Sequence, residues 1–158
     1  MECIRSRTME EEIRSMDELF DIIRSQKLLT IAMSQNDEPY LATLDFGFDE
    51  SCPCFYFHTS ASGRKVSILR KNPLVFGQVQ EDRGFVKDAC DHAFRLVQFK
   101  GRVRFLTDPE EIENGLTSIL AHLGSDPESI DKEEMGRGTL VGRIDILEIS
   151  GRKNEPRK

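Results

Sequence analysis

Residues 52–73, CPCFYFHTSASGRKVSILRKNP, order the rest of the chain. Phe55, Tyr56 and Phe57 read as a buried strand, and His58 to Ser62 as a polar turn. Gly63-Arg64-Lys65 then open a short helix, which Pro73 stops. A strand that delivers hydroxyls, a glycine and two adjacent cations to a helix start suits a phosphate. The helix start offers free N–H groups and a partial positive charge. Arg64 can grip two phosphate oxygens at once, and Lys65 adds a point charge. As a plain solvated pair, the two cations oppose the helix dipole at a cost of a few tenths of a kcal/mol. Neither GxxxxGK[ST] nor GxGxxG occurs in the sequence, so neither common nucleotide loop is present. The stretch points to a phosphate-bearing cofactor held in another way.

Upstream, Met9, Ile13, Met16, Phe20 and Ile23 recur at helical spacing, and Thr8 with Glu11 fits a capping box. Residues 27–34 read as a strand, 35–38 as a turn, 40–48 as a second strand and 49–53 as the turn into the third. Downstream of the short helix, 74–80 is a fourth strand. Residues 81–92, EDRGFVKDACDH, show no clean period and read as a loop. Residues 94–106 form a long strand with a bend at Gly101. Asp108-Pro109 starts a helix that buries Ile112, Leu116, Ile119, Leu120 and Leu123 and ends at Gly124. Residues 125–138 are polar and irregular. Strand 139–149 has apolar residues on both faces and should be buried on both. Short turns between the first three strands predict an antiparallel meander. The fold class is mainly β with flanking helices, a six-stranded antiparallel barrel, closed or nearly so.

The 158 residues predict one domain, with 1–7 and 151–158 as loose ends. Hydrophobic residues make up 38% and charged residues 32%, ordinary for a globular protein. A net charge of −6 argues against a nucleic-acid surface. No apolar run approaches a membrane span, and the first residues are charged where a secretory signal would be apolar. These features predict a cytoplasmic protein whose four cysteines are reduced.

With these residues in place, the chain resembles the pyridoxamine-phosphate-oxidase-like flavoproteins, the FMN-binding split barrels, over about residues 19–149. Three pieces carry the resemblance: His58-Thr59 with Gly63-Arg64-Lys65 and Asn72-Pro73; Pro39-Tyr40 leading into strand 41–46; and RLVQFKGRV at 95–103. The resemblance implies that Arg64 and Lys65 hold the phosphate of FMN, with Gly63 at the turn. It places His58 and Thr59 along the ribityl chain or ring edge. Backbone groups of Leu41, Ala42, Thr43 and Leu44 would bond the polar edge of the isoalloxazine. It implies a homodimer with the flavin at the interface, and a small-molecule electron donor and acceptor.

The departures bear on activity. True pyridoxamine-phosphate oxidases carry an Arg near the start of the flavin strand and a Lys near its end, where this chain has Leu41 and Phe46. Leu96 replaces a Gln, and the C-terminal Trp and Arg-Leu-x-Pro segment is absent. The pattern is closer to the nitroimidazole-resistance-type branch. An FMN-dependent oxidoreductase reducing a flat nitro-aromatic or quinone-like acceptor is the expected function. A flavin carrier or sensor without turnover is the other class, and haem or deazaflavin would be the alternative cofactors. His58 as a proton-transfer group competes with a plain wall residue. Cys52-Pro53-Cys54 with Cys90 and His92 has poor spacing for zinc, so no metal is expected and two thiols or a redox pair fits better.

Overall fold

The computed structural model describes residues 10–129 and 131–156. Strand β1 (Glu11–Glu12) precedes helix α1 (Met16–Ser25). Ser15 caps α1, accepting from the Glu18 N–H at 3.4 Å, and Leu19, Ile22 and Ile23 are its buried face. The helix therefore begins later than its apolar spacing predicts; Thr8 and Met9 lie outside the described residues. Ile13 is buried in extended backbone instead, its N–H bonded to the Gly151 carbonyl at 2.9 Å. A serine cap with two acids behind it sets the start more strongly than apolar periodicity.

Strands β2 (Leu28–Gln35) and β3 (Glu38–Asp45) form a hairpin through Asn36 and Asp37, both at positive φ (52° and 64°). That is the turn whose twist matches paired strands. The expected single strand 40–48 breaks at Phe46, which is fully buried. After the break, β4 (Gly47–Asp49) pairs with β5 (Cys54–Ser60). A Cβ on Gly47 would lie 2.6 Å from the Ile119 backbone nitrogen, so only glycine lets the chain turn under the neighbouring helix. The simple meander is thus corrected: β3 stays on β2, and β5 pairs with β4 and with the last strand.

Helix α2 (Arg64–Lys71) leads into β6 (Leu74–Val86) and β7 (Asp91–Phe105). The expected loop 81–92 is in fact the outer part of this hairpin, interrupted by a register shift between Asp82 and Phe85 and a single 3-10 turn, Lys87–Ala89. It projects past the core, so no buried face imposed a period on its sequence. The bend at Gly101 is present as a register shift between Lys100 and Gly101. Helix α3 (Pro109–Leu123) has Asp108 as N-cap and Gly124 in left-handed conformation at its end. A short α4 (Lys132–Gly136), capped by Asp131, occupies the stretch read as irregular.

Strand β8 (Thr139–Asn154) runs further than predicted and pairs with β1, β5 and β7. Residues 151–154, expected as part of a loose end, belong to it, and Asn154 is buried. Two-sided burial holds near its start, at Val141 and Ile144, whereas Leu147 is exposed. The antiparallel path is β3-β2-β6-β7-β8-β5-β4, with β1 added on β8. Eight strands stand where six were expected, the additions being the short β1 and β4. The two ends of the path are consecutive in the chain, so the sheet curls into a barrel that hydrogen bonds do not close. The result is the split barrel, mainly β with flanking helices.

Alternation along β5 divides the core. Phe55 and Phe57 point into the barrel with Leu29, Ile31, Val79, Val97 and Phe99. Cys54 and Tyr56 face the opposite way, against Leu116 and Ile119 of α3. Cys52 and Cys54 are free thiols, while Cys90 is disulfide-bonded, against the expectation that all four are reduced. No described helix is long and apolar enough to cross a membrane.

Candidate functional site

Four helices allow a comparison of their starts. Ser15, Asp108 and Asp131 cap α1, α3 and α4 with side-chain oxygens, and each first turn carries acids. Helix α2 has neither: Gly63 is its N-cap, at φ 131°, and no acid follows. The nearest atom to a Cβ on Gly63 would be Ser60 Oγ at 4.0 Å, so the space in front of the helix is open. Ser60 Oγ donates to the Ser62 carbonyl at 2.7 Å, which orders the turn.

The two cations are held differently. Arg64 reaches back to β3, where Nη2 meets Glu38 Oε2 at 3.4 Å and the guanidinium carbon lies 4.9 Å from the centre of the Tyr40 ring. Lys65 is half-buried, with no carboxylate within ion-pair distance among the described residues. Burial alone pushes its pKa below the ordinary lysine value. A desolvated, unpaired ammonium beside uncapped N–H groups is a site that gains from an anion. A cavity of about 190 Å³ at this corner is lined by Gln35, Asn36, Glu38, Arg64, Ser67 and Ile68.

Arg64 brings the helix start and β3 together. Leu41 and Thr43 point outward from β3, Ala42 is partly covered and Leu44 is buried in the core. His58 and Thr59, half-exposed, end β5 opposite Val141 and Leu140, just before the turn into α2. Residues 35–38 read as a turn in the sequence, but Glu38, Ser67 and the Asn36 turn were not expected as part of the site. They lie close only because the β2–β3 hairpin folds back on α2, where the Asn72 Nδ2 donates to the Ser34 carbonyl at 2.9 Å. The Asn36-Asp37 dipeptide was the available signal.

The sites of departure divide as well. Leu41 is exposed beside the site, but Phe46 is in the core, stacked 4.2 Å from His122, and Leu96 is nearly covered. Phe46 therefore shapes the barrel and not the approach to a ligand. The outward face of β3, β2 and β6 is an uncovered apolar area beside the site. It exposes Leu28, Leu41, Leu74 and Phe76, around a groove of about 450 Å³ lined by Ala32, Pro39, Phe76 and Lys100 among others.

Solved structures share this architecture. A protein from Bacteroides thetaiotaomicron named for 5-nitroimidazole antibiotic resistance matches with a TM-score of 0.77 at 21% identity, over 92% of this chain and 91% of that one. An FAD-binding protein from Mesorhizobium loti matches with a TM-score of 0.70 at 19% identity, over 93% and 99%. An FAD and heme binding protein from Mycobacterium smegmatis gives 0.76 at 15% identity, over 93% and 76%. No curated protein matches the sequence. The family model described as pyridoxamine 5'-phosphate oxidase matches residues 15–153, nearly the whole chain, and the protein belongs to that family.

Proposed function

We propose that this protein is an FMN-binding flavoprotein that acts as an oxidoreductase, passing electrons from a reduced nicotinamide or similar donor to a small flat acceptor. The observation that carries the reading is Lys65, a half-buried cation without a carboxylate partner among the described residues, beside the uncapped start of α2. The residues fit the group: Lys65 and the first N–H groups of α2 take the phosphate, and Arg64 exchanges Glu38 for it. His58 and Thr59 line the ribityl chain, and the exposed backbone edge of Leu41 to Leu44 faces the polar rim of the ring. Bound flavin supplies the electron transfer, so the protein needs only to hold, orient and shield it. The structural relatives named for FAD and for nitroimidazole resistance favour a flavin and a nitro-aromatic or quinone-like acceptor.

The partner is a second copy. The barrel is filled by Phe55, Phe57 and Phe99, leaving no interior room for a ring. A flavin must then lie on the outer face of β3 and β2, where exposed Leu41 and Phe76 need a second wall. Among the described residues, Lys100 is the one cation that lines the groove, Arg102 stands opposite Leu74 at its edge, and Leu41 occupies the place where true pyridoxamine-phosphate oxidases carry an Arg. Pyridoxamine phosphate is a poor substrate on this reading, because its dianion would be desolvated with too few charge-assisted donors.

Calorimetry with FMN, FAD and riboflavin tests the reading. FMN should bind near one per chain, and riboflavin much more weakly. Replacing both Arg64 and Lys65 by Ala removes two charge-assisted contacts of about 1.5–3 kcal/mol each and should weaken FMN at least roughly a hundredfold. Equal binding of riboflavin and FMN would overturn the phosphate assignment, and tighter binding of FAD would overturn the choice of FMN. Anaerobic reduction by nicotinamide donors separates an enzyme from a carrier. Turnover of pyridoxamine phosphate in the normal enzyme range would reverse the substrate reading.

A further inference from the structure

A second cluster lies on the other side of β5, under α3. Arg143 on β8 stands opposite Tyr56 in register, so both side chains occupy the face that packs against α3. Its Nη2 donates to Cys52 Sγ at 3.4 Å, and its Nη1 donates to the Tyr56 hydroxyl at 3.4 Å. Tyr56 and Cys54 lie two residues apart on the same face of β5, packed together under α3. Asp145 Oδ1 accepts from Arg143 Nε at 2.6 Å and fixes the guanidinium. One cation thus organises two thiols of different access. Cys52 is exposed in the turn between β4 and β5; Cys54 is buried, and its burial pushes the thiol pKa up.

We infer that Cys52 and Cys54 form a redox dithiol that a small hydroperoxide oxidises to a Cys52–Cys54 disulfide, with Arg143 as the positioning residue. Cys52 gives its proton to solvent, and its sulfur attacks the terminal peroxide oxygen. An S–O bond forms and the O–O bond breaks. The departing oxygen takes a proton and leaves as water or alcohol. Cys52 is now a sulfenic acid, and the peroxide has gained two electrons. The Cys54 sulfur then attacks the Cys52 sulfur, the S–O bond breaks, and the hydroxide leaves as water with the proton of Cys54. Two thiols and one hydroperoxide become one disulfide, one alcohol or water and one further water. Two residues apart, the Cα atoms lie within about 7 Å. A bend in the turn at 51–53 suffices to meet the roughly 4.4–6.8 Å that a disulfide accepts. The exposed sulfur beside a guanidinium is the one placed to react with a small oxidant. Cys54 is the resolving thiol, reached once the turn before β5 bends and uncovers it.

The test adds hydrogen peroxide to the reduced protein and maps the cysteine peptides by mass spectrometry. The expected product is a linked Cys52 and Cys54 that have lost two hydrogens. Cys54→Ser should instead accumulate a dimedone-reactive sulfenic acid on Cys52. Arg143→Gln should slow the reaction of Cys52 about tenfold, and Arg143→Lys should restore part of the rate. If the Arg143 variants do not fold, the wild-type map and Cys54→Ser decide alone. Unmodified thiols, Cys52 driven to sulfinic or sulfonic acid while Cys54 stays a thiol, or a Cys52 bridge between two molecules would each overturn the proposal. None of these readouts depends on flavin binding.

Discussion

Arg64 lies over the face of Tyr40, its guanidinium carbon 4.9 Å from the ring centre, while its Nη2 reaches Glu38. The ring aims the guanidinium at the mouth of α2 without neutralising it, and Glu38 is the group that competes with an incoming anion. The Glu38 side chain is mostly exposed, so the pair is worth at most about 1 kcal/mol. Glu38→Gln should therefore tighten FMN binding by roughly two- to fivefold, read by calorimetry. Tyr40→Leu, which keeps bulk but loses the π-face, should weaken it. A loss of affinity in Glu38→Gln would show that Arg64 needs its carboxylate in order to bind.

Lys65 gives the site a pH signature. Burial holds its pKa in the folded protein below the ordinary value of 10.5. Between the depressed value and the ordinary one, the unfolded chain binds more protons than the folded chain, so this group makes stability rise with pH. Binding of the phosphate needs the ammonium, so FMN affinity should fall as pH rises through the same window. Lys65→Met should flatten both trends, raising the stability of the free protein and lowering FMN affinity at neutral pH. An FMN affinity that is level across the window would remove Lys65 from the phosphate site.

Phe76 is the most telling residue of the open face, about half exposed on β6. Phe76→Glu should give a monomer by ultracentrifugation and lose the flavin with it. Stability of the chain itself should change by no more than about 0.5 kcal/mol, as for other surface substitutions. A dimer that survives this change would place the interface elsewhere.

At the root of the long hairpin, Arg95 bonds both oxygens of Glu81, with Nε at 2.5 Å and Nη2 at 3.1 Å. The Arg95 hydrogen bond holds the Glu81 carboxyl below its ordinary value of 4.5. The folded pKa is depressed, so the stabilisation is present above the unfolded value and is lost as pH falls through the folded one. Glu81→Gln should cost about 1.5–3 kcal/mol at neutral pH. The gap from wild type should shrink below the carboxylate range, as followed by urea unfolding. A gap independent of pH would mean the loss is one of packing.

Two aromatic rings lie flat over glycines of neighbouring strands. A Cβ at Gly77 would stand 2.2 Å from the Phe99 ring, and one at Gly142 would stand 2.3 Å from Phe57. Gly77→Ala and Gly142→Ala should each destabilise the fold by about 1–3 kcal/mol, read as a lowered Tm.

The uncapped start of α2 was legible because its chemistry is local: a glycine, two cations and no competing cap within a few residues. The β2–β3 hairpin was legible for the same reason, through the Asn36-Asp37 turn. The break at Phe46 was not, since an aromatic residue inside an alternating strand reads as more strand. Only the approach of α3, which leaves no room beyond the Gly47 Cα, forces the chain from one edge of the sheet to the other. The outer hairpin around residues 81–92 escaped because it is held by ion pairs across strands, not by a buried face. Glu38 and Arg64 are 26 residues apart, and no local pattern joins them.

Strand β8 joins β1, β5 and β7, yet it follows all of them in the chain. Strands β1, β5 and β7 are each made before this shared neighbour exists. A chain emerging from synthesis therefore carries Phe55, Phe57 and Phe99 on unfinished strands until residues 139–154 arrive. Assembly hinges on a late, long-range event, which slows folding and lengthens the exposure of sticky edges. Loss of β8 would not trim the barrel but leave two unjoined halves, a vulnerability that chaperones and proteases would meet first.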